Sequence, residues 1–213
     1  MALFLTFEGG EGSGKSTQIK LLSDALLARG LPCLLTREPG GTEIGVEIRK
    51  ILLDGQNHHL NDLAELLLYT ADRAQHIAET IRPALAAGKI VLCDRFADAT
   101  VAYQGFGRQL DPSLIAKLND LATGGLKPNR TFLLDLPIPV GLRRAQARLE
   151  KQNSSEGRFE AEALSFHEAV RQGYLSLAQA EAKRFLVIDA NAEIEIIHQQ
   201  ILDEIATLLD ARS

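Results

Sequence analysis

Leu3-Phe4-Leu5-Thr6-Phe7-Glu8-Gly9-Gly10-Glu11-Gly12-Ser13-Gly14-Lys15-Ser16-Thr17 is an apolar run, a glycine-rich turn, and the opening of a stretch with helical periodicity. The pattern G-x-x-x-x-G-K-[ST] is filled by Gly9, Gly14, Lys15 and Ser16, with the strand before and helix after that a P-loop requires. The chemistry explains the residue types. Backbone N–H groups must approach a polyphosphate closely, and a chain without bulky Cβ substituents curls most tightly, hence Gly9, Gly10, Gly12 and Gly14. The loop ends at a helix N-terminus, where orphan N–H groups and the positive end of the dipole favour phosphate oxygens. Lys15 supplies a mobile charge to the outer phosphates, and the Ser16 hydroxyl is small enough to coordinate a bridging Mg²⁺. The whole stretch from Gly9 to Thr17, with Glu11 and Ser13, is thus the expected binding loop for a nucleoside triphosphate, ATP in the first instance.

Outward from this loop, apolar runs at 3–7, 32–36, 90–93, 131–134 and 184–188 read as five short strands, nearly all buried on both faces. Helical patterns at about 15–29, 43–53, 61–86, 112–123, 139–150, 159–181 and 193–210 alternate with them. That alternation predicts an α/β, three-layer P-loop NTPase fold, a five-stranded parallel sheet flanked by helices, as a single domain over 1–213. Apolar periodicity lapses at Lys151-Gln152-Asn153-Ser154-Ser155-Glu156-Gly157, between Arg148 and Arg158, so a small lid is expected at about 148–160. In such sheets ligands gather beyond the carboxyl ends of the strands. Asp94 there is the expected Walker-B carboxylate, so Ser16 and Asp94 are the candidate metal ligands.

Composition narrows the partners. A net charge of -5 over 213 residues repels nucleic acid and anionic membranes, so an anionic substrate has to be held by local arginines. The leading strand resembles no secretory signal and no stretch reaches membrane-spanning length, which leads us to expect a cytoplasmic protein. Cys33 and Cys93 lie in separate apolar runs without paired spacing and are expected to be buried free thiols. His58-His59 lacks a companion cluster and reads as a solvated loop. Arg37, Arg49, Arg73 and Arg95 lie away from the P-loop and suggest a second anion. Two facing anionic sites suit phosphoryl transfer between nucleotides, which gains from alignment and from exclusion of water.

Thr36-Arg37-Glu38-Pro39-Gly40-Gly41-Thr42, Ala71-Asp72-Arg73-Ala74-Gln75-His76, Asp94-Arg95-Phe96, Ala102-Tyr103-Gln104-Gly105 and Arg158-Phe159-Glu160 follow the P-loop in order. Together they resemble the thymidylate kinase family along nearly the whole chain. The resemblance implies ATP-dependent phosphorylation of dTMP to dTDP with Mg²⁺, usually by a homodimer. It implies that Arg49, Arg73 and Arg95 hold the dTMP 5′-phosphate, that Tyr69 stacks on thymine, and that Thr100 and Gln104 meet the base edge. Glu11 would face the acceptor sugar and pair with an acceptor-site arginine, and Pro39 would be a fixed turn aiming Arg37. No arginine stands in the loop itself, so Arg158, with Arg148 in support, is the expected transition-state cation, as in the bacterial subclass with a lid arginine. Two departures stand out: Ala99 replaces a common Ser, and Gly157 replaces an acid before the arginine. The leucine-rich helix at 61–86, apolar on more than one face, suggests burial against a second copy. The competing readings are a kinase for another nucleoside monophosphate or a deoxynucleoside, and an ATP-dependent switch acting on a protein partner.

Overall fold

The computed structural model describes residues 2–152 and 155–210. Strands β1 (Leu3–Glu8), β2 (Cys33–Arg37), β3 (Ile90–Asp94), β4 (Arg130–Asp135) and β5 (Phe185–Asp189) form one sheet in the order β2-β3-β1-β4-β5. Every pairing is parallel, with Leu3 opposite Ile90 and Phe7 opposite Asp94. Side chains alternate across a strand, so each central strand feeds two cores. Leu3, Leu5, Phe7, Ile90, Leu92, Phe132 and Leu134 share one core with Ile19, Leu22 and Leu26 of α1 (Lys15–Ala28) and Ile197, Ile201 and Ile205 of α9 (Ile194–Asp210). On the opposite face Phe4, Val91 and Cys93 pack with Ile77, Ile81, Ala84 and Phe96, and Leu133 joins the aromatic cluster around Tyr174. The edges differ from expectation, because β2 and β5 have neighbours on one side only and are partly exposed. Leu35 and Val187 reach solvent there. Cys93 is buried and Cys33 half-buried, and both are free thiols.

The remaining helices are α2 (Glu43–Leu53), α3 (Asp62–His76), α4 (Arg82–Ala86), α5 (Ala97–Thr100), α6 (Pro112–Thr123), α7 (Ile138–Gln152) and α8 (Leu164–Ala180). The expected helix at 61–86 is present but passes through a π-helical turn, Ile77–Ile81, before Pro83 enters at the start of α4. The expected helix at 159–181 starts only at Leu164. An unanticipated helical segment, α5 continued by the π-helical Val101–Gly107, crosses the site. Its two glycines hide it from a periodicity search. Its stability comes from packing, since Ala102 and Tyr103 are buried against Phe166 and Tyr174 of α8. At Gly173 a Cβ would lie 2.9 Å from the Phe106 ring and 3.1 Å from the Ala102 Cα, so only glycine admits this approach. No helix of the described residues is long and apolar enough to cross a membrane.

Candidate active site

Glu8, Arg37 and Asp94 end neighbouring strands on the same edge of the sheet, and a cavity of about 770 Å³ opens above them. The P-loop follows β1, whose neighbours β3 and β4 are reached in opposite directions. That is the switch point at which open parallel sheets bind ligands. The cavity is lined at once by the loop from Glu11 to Thr17, by Arg37, Pro39, Arg49, Tyr69, Arg73, Asp94, Arg95, Thr100 and Gln104, and by Arg148.

The P-loop owes its shape to Gly9 and Gly12. Gly9 has φ 137° and a Cβ there would lie 2.4 Å from the Leu134 carbonyl oxygen. Gly12 has φ 67° and its Cβ would fall 2.2 Å from the carbonyl oxygen of Gly141, at the start of α7. Gly10, grouped with these by sequence, is not constrained: its φ is ordinary and nothing lies within 4 Å of the place a Cβ would take. Gly14, left-handed at φ 89°, caps α1. The Lys15 ammonium donates to the carbonyl oxygens of Gly9 (3.1 Å) and Gly10 (3.0 Å) and to Ser13 Oγ (3.2 Å). Burial, with Arg95 nearby, lowers its pKa to about 8 despite the opposing pull of Asp94, Glu11 and Glu8. The Ser16 hydroxyl donates to Asp94 Oδ2 at 2.9 Å. A hydroxyl and a carboxylate side by side at the phosphate end are hard oxygen donors, and their chemistry fits Mg²⁺, which retains water and phosphate ligands. Among the described residues no group of three or more His, Cys, Asp or Glu could hold a metal alone, and His58-His59 belongs to none.

Arg95 is held in an unusual backbone conformation. It is a non-glycine residue at φ 70°, a left-handed conformation costing roughly 1–2 kcal/mol. Its guanidinium donates to Glu11 Oε1 (2.8 Å) and to the Tyr174 hydroxyl (3.2 Å) and lies 4.8 Å from the Tyr103 ring centre. Tyr103 also donates to Glu11 Oε1, at 2.7 Å. Burial alone would raise the Glu11 pKa, but Arg95 first, then Lys15 and the Tyr103 hydrogen bond, hold it at about 2. Beneath them, Glu8 accepts from Tyr174 (2.8 Å) and from the Phe96 N–H (2.7 Å). Burial and the nearby Asp98 push the Glu8 carboxyl upward against Arg95, Tyr174 and the Phe96 N–H.

The other arginines divide by role. Arg73 is buried and commits four N–H bonds to protein: to Glu38 (2.8 Å), Asn119 (2.8 Å), the Phe96 carbonyl (3.1 Å) and Thr100 Oγ1 (2.9 Å). It also lines the cavity. Arg49 forms a two-pronged pair with Glu156 (3.0 and 2.7 Å) and donates to the Pro39 carbonyl (3.1 Å). Glu38–Pro39 is a cis peptide bond, and Arg37 at the end of β2 lines the cavity beside it. Tyr69 borders the same cavity from α3.

Arg158 stands apart from the other arginines. The expected transition-state cation is absent from the cavity wall and is buried, donating to the Leu52 carbonyl oxygen at 2.6 Å and pairing with Glu65. Its neighbours Phe159 and Glu160 do line the cavity. Arg148 and Arg144, both on α7, are the cations that border the P-loop side. Arg148 pairs with Glu160 at 3.3 Å. Asn153 and Ser154, in the middle of the expected lid, lie outside the described residues. Sequence reasoning missed Arg144 and Tyr174, and gave no role to Tyr103 or Glu156, though both lie in stretches it singled out. Arg144 stands four residues before Arg148 and so shares its helix face, a signal that periodicity could have supplied.

The chain as a whole is similar to known proteins. Residues 7–201 match the model of the family described as thymidylate kinase. The chain is 55% identical over 196 residues to a thymidylate kinase of Geotalea uraniireducens, covering 92% of each chain. It is 54% identical over 204 residues to one of Geobacter sulfurreducens, covering 95% of this chain and 96% of that one. The crystal structure of thymidylate kinase from Ehrlichia chaffeensis superposes with a TM-score of 0.77 at 34% identity, over 96% of this chain and 98% of that chain.

Proposed function

The chain belongs to the thymidylate kinase family, and from that premise we propose how its residues carry the γ-phosphoryl of ATP to dTMP. The enzyme is a dTMP kinase, yielding dTDP and ADP for dTTP synthesis. The observation that supports the site reading is the shared cavity: the P-loop and an arginine cluster from β2, α2, α3 and the end of β3 line one space. Its volume of about 770 Å³ is within the ~300–1,000 Å³ usual for small-molecule sites.

The P-loop backbone and Lys15 hold the β- and γ-phosphates, with Arg144 and Arg148 supplying positive charge from α7. Ser16 and Asp94 would hold Mg²⁺, which when bound neutralises the phosphate oxygens. Arg95, aimed by Glu11 and Tyr174, binds the acceptor phosphate with its two-pronged guanidinium, and Arg37 and Arg49 complete the acceptor end. Tyr69 faces the base. Catalysis on this reading is alignment and charge neutralisation, with no covalent intermediate. Exposed Leu63 and Leu67, one turn apart on α3, support a homodimer formed through this face.

Two outcomes test this reading. Without ATP, dTMP should raise the melting temperature at concentrations where thymidine does nothing; equal stabilisation by thymidine would remove the arginines from the acceptor role. ATP binding at pH 8 should take up about half a proton, because the phosphates return Lys15, with its pKa of about 8, to full charge. At pH 6.5 Lys15 is already protonated and uptake by this group should vanish. Calorimetry in buffers of different ionisation enthalpy reads both, and equal uptake at the two pH values would exclude Lys15 as its source.

A further inference from the structure

We infer that Glu65 sets the base specificity of the acceptor pocket by fixing which end of the Gln104 amide faces the cavity; the inference rests on the dTMP reading above. Glu65 lies in α3, one turn before Tyr69, and is fully buried. Its Oε1 accepts from Gln104 Nε2 at 2.7 Å. The same carboxylate is gripped by Arg158 at Oε2 and by Arg108, whose Nη2 lies 3.3 Å from Oε2. Arg108 is itself tied to Glu162 at 2.6 Å and lies 4.7 Å from the Phe166 ring centre. Arg158 is fastened to the Leu52 carbonyl oxygen and lies 4.6 Å from the Phe159 ring centre. Two anchored guanidinium groups thus hold the carboxylate in place.

A carboxylate paired with arginines offers acceptors only. The amide nitrogen of Gln104 must therefore be the end turned towards Glu65, since a reversed amide would set oxygen against oxygen. Gln104 is buried and lines the cavity, so its carbonyl oxygen is the group left for a ligand. An acceptor at that place pairs with a pyrimidine carrying N3–H, as thymine and uracil do. Cytosine has a lone pair at N3 and would face oxygen with nitrogen, leaving both unpaired in a closed site. Sites built on such a hydrogen bond reject the mismatched ligand strongly. Arg158 then serves the base pocket from the segment after α7, through Glu65, and is a positioning residue.

Steady-state kinetics with dTMP, dUMP and dCMP at saturating ATP test this. In Glu65→Gln the side chain at 65 can donate or accept, the Gln104 amide is free to reverse, and the dTMP-over-dCMP ratio of kcat/KM should fall at least tenfold. The change should come mainly from KM for dTMP. The dTMP-over-dUMP ratio and the KM for ATP should stay within twofold, which a general loosening of the fold would not spare. Should Glu65→Gln fail to accumulate, Glu65→Asp keeps the charge against both arginines while withdrawing it from Gln104, and the same fall is expected. An unchanged dTMP-over-dCMP ratio in either folded variant overturns the inference. A native enzyme that itself prefers dCMP, or accepts no nucleotide, overturns the dTMP reading instead.

Discussion

Replacement of Lys15 by alanine is expected to lower kcat about 10³-fold while dTMP affinity stays within twofold. Lys15 is buried beneath the loop, within 3.2 Å of three loop oxygens, so its charge is already placed before the phosphates arrive. Preorganised charge in a closed site is worth more than the same charge in water, and deleting one such donor costs about 2.7–4 kcal/mol of transition-state stabilisation, or 10²–10³ in rate. The acceptor end is built from other elements, so dTMP binding should persist. Rapid-quench turnover and calorimetric dTMP titration of Lys15→Ala measure the two quantities. Turnover within tenfold of the native rate would remove the P-loop lysine from the chemistry.

Arg95→Ala should act at the other end, lowering kcat/KM for dTMP by about 10²–10³ with little change in KM for ATP. Arg95→Lys should recover little of it, because an ammonium cannot grip phosphate in two places while also keeping the Glu11 and Tyr174 contacts. The substitution has a second consequence through Glu11. With Arg95 present, the Glu11 pKa of about 2 lies below its unfolded value of 4.5, so this group stabilises the fold above pH 4.5 and that contribution is lost as pH falls towards 2. Without Arg95 the Glu11 pKa rises, so the stability this group loses on acidification should shrink, and where burial carries the pKa above 4.5 it should reverse, the fold gaining from this group as pH falls. Chemical denaturation of both proteins between pH 3 and 6 measures it; coincident profiles would mean that Arg95 does not hold Glu11 ionised.

Local signals carried the parts of this fold that were legible in the sequence. The strand, loop and helix around Gly9 to Thr17 announce themselves because phosphate binding demands small residues and a lysine at fixed spacing. The five strands stood out because central parallel strands are continuous apolar runs, as Leu3, Leu5 and Phe7 with Phe4 illustrate. The helical stretch ending at Gly107 did not, since its stability is tertiary and rests on Tyr103 meeting Phe166 and Tyr174. Glu65 was illegible for a different reason. A carboxylate on a leucine-rich helix reads as a solvated charge, and only the fold shows two arginines from distant segments closing over it. Arg158 shows the limit of motif position: it placed the residue near the lid without showing that the side chain turns inward to Glu65.

The most direct test of the account is ADP formation in a coupled assay with Mg²⁺ and ATP, with dTMP, dUMP, dCMP, AMP, thymidine or no acceptor. dTMP should stimulate ADP formation strongly, thymidine not at all, and the background without acceptor should be at least a hundredfold lower. ADP formation at the same rate with and without dTMP would contradict phosphoryl transfer to dTMP, and would point to a nucleotide-driven switch.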